Sequence, residues 1–511
     1  MKGSMTILRG LNDIRASYIL ESELPDNGAV LLPQASPRAA WKKIASSGWF
    51  AAAVCAVVAL GVLTAIVLAG REGPGGITPP VGTQPTDTTA EETTEAPTEG
   101  ETEPAVVYTE GLDFAPIDGE EGACYVAGIG KAKDKRIRIP ETSPEGLTVV
   151  FIGEKAFMGN TDITEVILPD TVESVQLSAF ENCTNLKKVV LGASFKSLMP
   201  RAFYNCAKLN DINLTHDHEV RTYAMLKTPW LENQTDEFVI YGGYLIGYHG
   251  NDSDVMIPEG VMCVDGGSFN GNKKITSVVI SEGCEMIMGG AFANCSSLVS
   301  VTLPSSLTHI DSASFGWCTS LKSIYAPGEI AVAYRAFTGC TSLTSVNMPS
   351  ALYVWGEAFA DCLSLSSVTL SEDLLYYAEG AFRNTALTEV TIPASVIRMD
   401  ANVFENCSEL TRAEIHSPMV GDGCFTDCVS LKEIILHDGV QTSGSDFFKN
   451  CPALERIVLP STVTEIGHIS AIPSEGLVIE YAGTAEDFAK IQMDEQTAAL
   501  LLPYVQFSVS E

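Results

Sequence analysis

The sequence predicts a mostly β solenoid, a right-handed coil of about thirteen units of 22–23 residues, preceded by one transmembrane helix and a disordered stalk. Three observations carry this. A phenylalanine recurs at Phe157, Phe180, Phe203, Phe269, Phe292, Phe315, Phe337, Phe359, Phe382, Phe404, Phe425 and Phe448, with separations of 21–23 residues and one interval of 66. That interval is three periods, and Met225 takes the slot within it in Ala224-Met225. Each unit also contains a phrase of the form Leu-x-x-Val-x-Leu, whose valine and final leucine share one side while their neighbours share the other, the alternation of a half-buried strand. Finally, hydrophobic residues make up 46% of the chain and charged residues 19%, which supplies a large core and excludes whole-chain disorder.

The elements before the repeats follow from charge. The 511 residues include 31 basic and 64 acidic side chains, a net charge of −33, which argues against a nucleic-acid partner because a polyanion would be repelled. Residues 1–48 carry 6 basic and 4 acidic groups, whereas residues 71–107 carry 1 and 8. Between them, residues 49–69 form a run of 21 without a charge. At ~1.5 Å per residue such a helix spans about 31 Å, the hydrocarbon thickness of a bilayer. Arg38, Lys42 and Lys43 flank one side and Arg71 alone the other. The positive-inside rule therefore places residues 1–48 in the cytoplasm and everything after Gly70 outside. A cleaved signal peptide ending at Val67-Leu68-Ala69 is the alternative, but the leader and the apolar run both exceed its usual proportions. Residues 71–107 hold 9 Thr, 6 Pro and 7 Glu with little to bury, and read as an extended stalk.

Within the repeats, a proline commonly closes the strand, a second short extended piece such as residues 307–310 follows, and a tight turn drives the phenylalanine inward. One unit cannot shield its own apolar face. Stacking at about 4.8 Å makes a continuous core with a parallel sheet along one side. The run Ala291-Phe292-Ala293-Asn294-Cys295-Ser296-Ser297-Leu298-Val299-Ser300-Val301-Thr302-Leu303-Pro304 resembles the BspA-type leucine-rich repeat of bacterial surface proteins, and the resemblance covers about residues 108–490. Gly111 to Phe114 with Tyr125 to Ile129 resembles that family's N-terminal cap hairpin, giving a cap at 108–150. The leucine-rich solenoid then occupies 151–476, with a hairpin insertion near 231–256 marked by Thr228-Pro229-Trp230 and Gly242-Gly243. Glu480 to Thr484 with Asp487-Phe488 resembles the family's end piece, giving a cap at 477–511. Thr228, Asn272 and Thr385 depart from the repeat by replacing a cysteine, and Ser443 weakens the last unit. The resemblance implies an extracellular binding or adhesion scaffold.

Residues able to do chemistry are sparse. Nine of the fourteen cysteines (183, 206, 295, 318, 340, 362, 407, 428 and 451) fall three residues after a phenylalanine slot, so they are periodic because the repeat is. They read as a ladder of buried thiols, since parallel side chains one repeat apart do not suit disulfide geometry. Zinc by thiolates is disfavoured: no Cys-x-x-Cys exists, and Cys424 and Cys428 lack a second pair. Asn182, Asn294 and Asn406 match the glycosylation acceptor pattern only because the repeat contains Asn-Cys-Ser/Thr. His216-Asp217-His218 is the one histidine cluster and reads as an exposed loop. There is no P-loop, nucleophile elbow, zincin motif, dinucleotide fingerprint or calcium loop, so no catalytic, cofactor or metal residues are assigned.

What remains is surface. Outward residues beside the central Val or Ile form two columns, one reading Ser277, Ser300, Ser323, Ser345 and Ser367 at its middle, the other Val279, Thr302, Tyr325, Asn347 and Thr369. On the second extended piece, Tyr353, Trp355 and Tyr376 occupy outward slots of adjacent repeats, with His309 two repeats earlier in the column of Tyr353. The candidate ligand-binding residues are thus Tyr325, Tyr353, Trp355, Tyr376, Ser323 and Ser345, for an extracellular protein or glycan. The expected function is non-catalytic adhesion by a single-pass cell-membrane protein that binds host or neighbouring-cell macromolecules. A transmembrane sensor relaying through residues 1–48, where residues 8–24 suit a short helix, is the alternative.

Overall fold

The computed structural model describes residues 107–508. The expected span at 49–69, the segment before it and the stalk up to residue 106 lie outside the described residues. Among the described residues no helix is long and apolar enough to cross a membrane.

The repeating turn follows from two backbone positions. Residues two before and two after each phenylalanine adopt positive φ: Arg335 (57°) and Gly339 (70°) flank Phe337, and Lys155 (55°) and Gly159 (72°) flank Phe157. The left-handed region favours Gly, Asn and Asp. This explains the asparagine before the cysteine in the repeat, as at Asn182, Asn294 and Asn406, each with φ of 57–60°. The acceptor-like Asn-Cys-Ser/Thr phrase is thus a turn requirement. Several of these side chains also join along the stack, with Asn205 Nδ2 donating to Asn182 Oδ1 at 2.8 Å and Asn450 Nδ2 to Asp427 Oδ1 at 2.9 Å.

The two left-handed residues turn the chain so that the phenylalanine enters the core, where the rings stack. Successive centroids from Phe269 to Phe382 lie 4.8–5.3 Å apart with planes within 14° of parallel. Met225 sits in the register of the slot, its neighbour Ala224 accepting from Phe203 N–H at 2.8 Å. Tyr248, 4.9 Å from Phe269, fills the other place in the 66-residue interval.

Two parallel ladders run along the coil. The first is built from the Val-centred strands, for example Ser277–Ile280, Ser300–Thr302 and Ser323–Tyr325; the second from two-residue strands such as His309–Ile310, Ala331–Val332 and Tyr353–Val354. The coil has about 17 turns of roughly 23 residues, more than the thirteen units expected. The difference lies partly in the middle, where Tyr248 takes a slot and Asp254–Ile257 joins the first ladder, and partly at the ends, where Arg136–Arg138 has no slot phenylalanine before it and Val478–Tyr481 none after Phe448. Counting phenylalanines misses such turns.

Residues 229–256 show how an interruption is absorbed. Thr228 Oγ1 accepts from Leu231 N–H and caps the short helix Pro229–Glu232, which buries Trp230. Phe238–Tyr241 and Tyr244–Tyr248 then pair antiparallel through Gly242 and Gly243, both at positive φ, and the second strand joins the second ladder beside Cys263–Val264.

The nine slot cysteines are buried and unbridged. Each thiol donates to the carbonyl of the phenylalanine one unit earlier, as Cys318 does to Phe292 at 3.1 Å and Cys362 to Phe337 at 3.2 Å. Where threonine replaces the cysteine, its hydroxyl bonds its own unit: Thr385 Oγ1 donates to Phe382 O at 2.9 Å. Where asparagine does so, its carbonyl caps the next turn: Asn272 Oδ1 accepts from Lys274 N–H at 2.9 Å. Burial pushes the thiols of Cys183, Cys362 and Cys451 up to about 12, so they stay protonated at neutral pH. Iodoacetamide at pH 8 is therefore expected to leave the slot cysteines unmodified in the native protein and to alkylate all nine in denaturant. Peptide mapping checks this, and appreciable native labelling would contradict a closed thiol ladder.

Candidate functional site

The first ladder brings its outward columns into the expected register. Ser277, Ser300, Ser323, Ser345 and Ser367 are successive partners, as are Tyr325, Asn347 and Thr369. Tyr325 is 55% exposed, with Ser323 beside it on the same strand. From Ser277 to Thr369 neither column contains a charge. This neutral strip is bounded by ions. On one side, Asp254 stands opposite Ser277 on the neighbouring strand, and before the hairpin Lys188 pairs with Asp211 at 2.8 Å and Arg136 with Glu165 at 2.9 Å. On the other, an ion ladder crosses four strands: Arg412 meets Glu433 at 2.8 Å, Glu433 meets Arg456, and Arg456 meets Glu480 at 2.6 Å. Hydrogen bonds from Arg456 hold the carboxyl groups of Glu433 and Glu480 below the usual carboxylate range.

At the ion-ladder end of the strip the first ladder parts. No ladder hydrogen bonds join Ser367–Leu370 to Glu389–Ile392, which belong to separate sheets. Val368 and Val390 are half-buried there, whereas Val278 and Val346 at the same place in other turns are buried. A cavity of about 250 Å³ opens between the strands and reaches Tyr377, Phe382 and Phe404.

The aromatic candidates lie in the second ladder, so the structure divides the six candidate residues between two sheets. Tyr353 and Tyr376 are register partners, with His309 two strands before Tyr353 in the same column. Trp355, 42% exposed, follows two residues after Tyr353. Tyr376 is engaged, its hydroxyl donating to Asp400 Oδ2. Burial and that carboxylate push its phenol above the usual range.

The adjacent histidines of His216-Asp217-His218 diverge. His216 stacks on Tyr241 at 4.8 Å and reaches Ile240 O through Nδ1 at 3.0 Å, while His218 Nδ1 accepts from Thr215 N–H at 3.1 Å. A different cluster forms among the described residues from Glu414, His416 and His437, whose ligand atoms lie within 4.8 Å of one another. Sequence inspection missed it because His416 and His437 are one repeat apart. The signal was positional, since both follow immediately after a Val-position strand.

A stacked parallel β coil with an inward phenylalanine, a paired outer sheet and a neutral exposed strip defines a leucine-rich-repeat scaffold. Residues 139–235, 248–357 and 354–470 match the model of the BspA type leucine rich repeat region, in six copies, and the chain belongs to that family. Solved structures similar to it include a leucine rich cell surface protein from Faecalibacterium prausnitzii, with 24% identity, 78% of this chain and 100% of that one covered, and a TM-score of 0.34. Others are a leucine-rich repeat protein from Bacteroides ovatus, with 21% identity, 79% and 99% covered and a TM-score of 0.30, and the pneumococcal vaccine antigen PcpA, with 14% identity, 80% and 99% covered and a TM-score of 0.28. No curated protein matches the chain.

Proposed function

We propose that this protein is displayed at the cell surface, held by the apolar segment 49–69 with residues 1–48 inside, and that its solenoid binds extracellular protein or glycan without catalysis. The observation that carries this reading is the uncharged strip from Ser277 to Thr369 on a protein of net charge −33. Its small hydroxyl side chains leave the sheet open to close approach, and Tyr325 stands exposed among them. A polar, amphipathic surface of this kind suits contacts that exclude water around one aromatic anchor. The exposed Trp355 and half-exposed Tyr353 supply a second anchor on the other ladder.

The full-length protein, tested against a panel of matrix proteins, mucins and polysaccharides, is expected to capture a partner that an unrelated acidic control does not. The double substitution S323R/S345R, which places two charged side chains on the strip, should weaken capture by ~10-fold or more with little change in thermal midpoint. W355A with Y353A should weaken it independently. Undiminished binding by both folded variants would remove the proposed surfaces, and no capture by the parent would remove the reading itself.

A further inference from the structure

The strands Arg412–Ile415 and Glu433–Leu436 pair in parallel with Arg412 opposite Glu433 and Glu414 opposite Ile435. Alternation continues past their ends, so Arg412, Glu414 and His416 lie half-buried on the outer face while Ala413 and Ile415 are buried. His416 and His437 therefore fall side by side in the next row, and their rings stack with centroids 3.9 Å apart and planes 9° from parallel. His437 Nε2 is shielded from solvent and makes no hydrogen bond, and the closest carboxylate oxygen to it, Glu414 Oε2, is 3.5 Å away. Arg412 Nη2 holds the other oxygen of Glu414 at 2.6 Å. The carboxylate is thereby oriented with one oxygen tied and one turned toward the imidazoles. Two imidazoles and one carboxylate, all within 4.8 Å, are gathered on paired strands; Arg412 occupies only one oxygen of Glu414, and His437 Nε2 has no hydrogen-bond partner.

From this arrangement we propose that Glu414, His416 and His437 form a surface binding site for a divalent transition-metal ion of the zinc class. Imidazole nitrogen with one carboxylate oxygen is a borderline donor set that selects zinc over calcium or magnesium, which take oxygen ligands. Three protein ligands leave a fourth position open to water or to a donor from a binding partner. The surrounding charge is favourable: Glu414, Glu433 and Glu480 set three carboxylates against the two guanidiniums of Arg412 and Arg456. Arg412, bonded to the carboxylate from outside the donor set, acts as the group that orients a ligand. In-plane lone pairs of parallel rings do not converge, so binding requires the two rings to fan apart by rotation about their Cβ–Cγ bonds.

The test is calorimetric titration of the tag-free full-length protein with zinc chloride at pH 7.5, confirmed by competition with a chromophoric chelator. One tight zinc per chain is expected, weakened at least ~10-fold in H416A and in H437A, less in E414Q, and unchanged in H216A/H218A. Zinc K-edge absorption of the loaded parent protein, which needs no variant, should show two imidazole shells. Absence of a bound zinc, retention of parental affinity by H416A/H437A, or an absorption spectrum without imidazole scattering would each overturn the proposal.

Discussion

Replacing Phe337 with alanine is expected to lower the stability of the solenoid by on the order of 3–5 kcal/mol, the range for removing a buried phenylalanine ring. Phe337 is fully buried and lies between Phe315 and Phe359, each at 5.2 Å and within 4° of parallel. Strand pairing fixes the neighbouring units near their present separation, so the space left by the ring closes only in part. In a stack where each unit contacts chiefly its neighbours, a defect at the middle weakens two interfaces together. Urea unfolding followed by circular dichroism should show an earlier, broader transition for F337A than for the parent. F448A, near the end of the stack, should cost less. A loss below ~1 kcal/mol for F337A would mean that the ring column is not what holds successive turns together.

A second large effect concerns Asp265, whose side chain is buried near the hairpin. One carboxylate oxygen accepts from Tyr223 N–H at 3.2 Å, and the other has no hydrogen-bond partner. Tyr223 is fixed in turn by its hydroxyl, which donates to Gly289 O at 2.6 Å. Burial pushes the Asp265 carboxyl up to about 7, only partly opposed by the hydrogen bonds it accepts. Because the folded pKa lies above the unfolded value of ~3.9, the folded protein keeps a proton that the unfolded chain releases. Stability from this group is therefore full below about pH 4, declines as pH rises from there through about 7, and stays low above it. D265N keeps an oxygen to accept from Tyr223 and removes the charge. Its thermal midpoint should exceed that of the parent at pH 8, by an amount equivalent to on the order of 2–4 kcal/mol, and the gap should shrink toward pH 5. Equal pH profiles for the two proteins would show that Asp265 does not carry this cost.

The period, the slot residues and the outward columns were legible in the sequence because a stacked coil repeats the same constraint at each turn. Met225 and the serine column fell where spacing placed them, and the cysteines were readable as buried thiols from their periodicity. The terminal turns were not, since they pair through backbone hydrogen bonds that require no signature side chain. Tyr248 escaped for another reason: it stands in phase, 23 residues after Met225 and 21 before Phe269, but it is a tyrosine on a hairpin strand and lacks the Ala-Phe and cysteine of the repeat.

The candidate binding surface divides in the same way. Which residues face outward follows from strand alternation, so Ser323, Tyr325, Ser345, Tyr353, Trp355 and Tyr376 could all be chosen from the sequence. Alternation does not reveal that Tyr376 is tied to Asp400, or that the first ladder parts between Leu370 and Glu389. The sequence by itself determined a coil with a phenylalanine column and a neutral outer strip, because burial and alternation act on every unit alike. Only the tertiary structure decided which residues of different units meet, as Glu414, His416 and His437 do, because stacking converts one period of chain into a few ångströms of space.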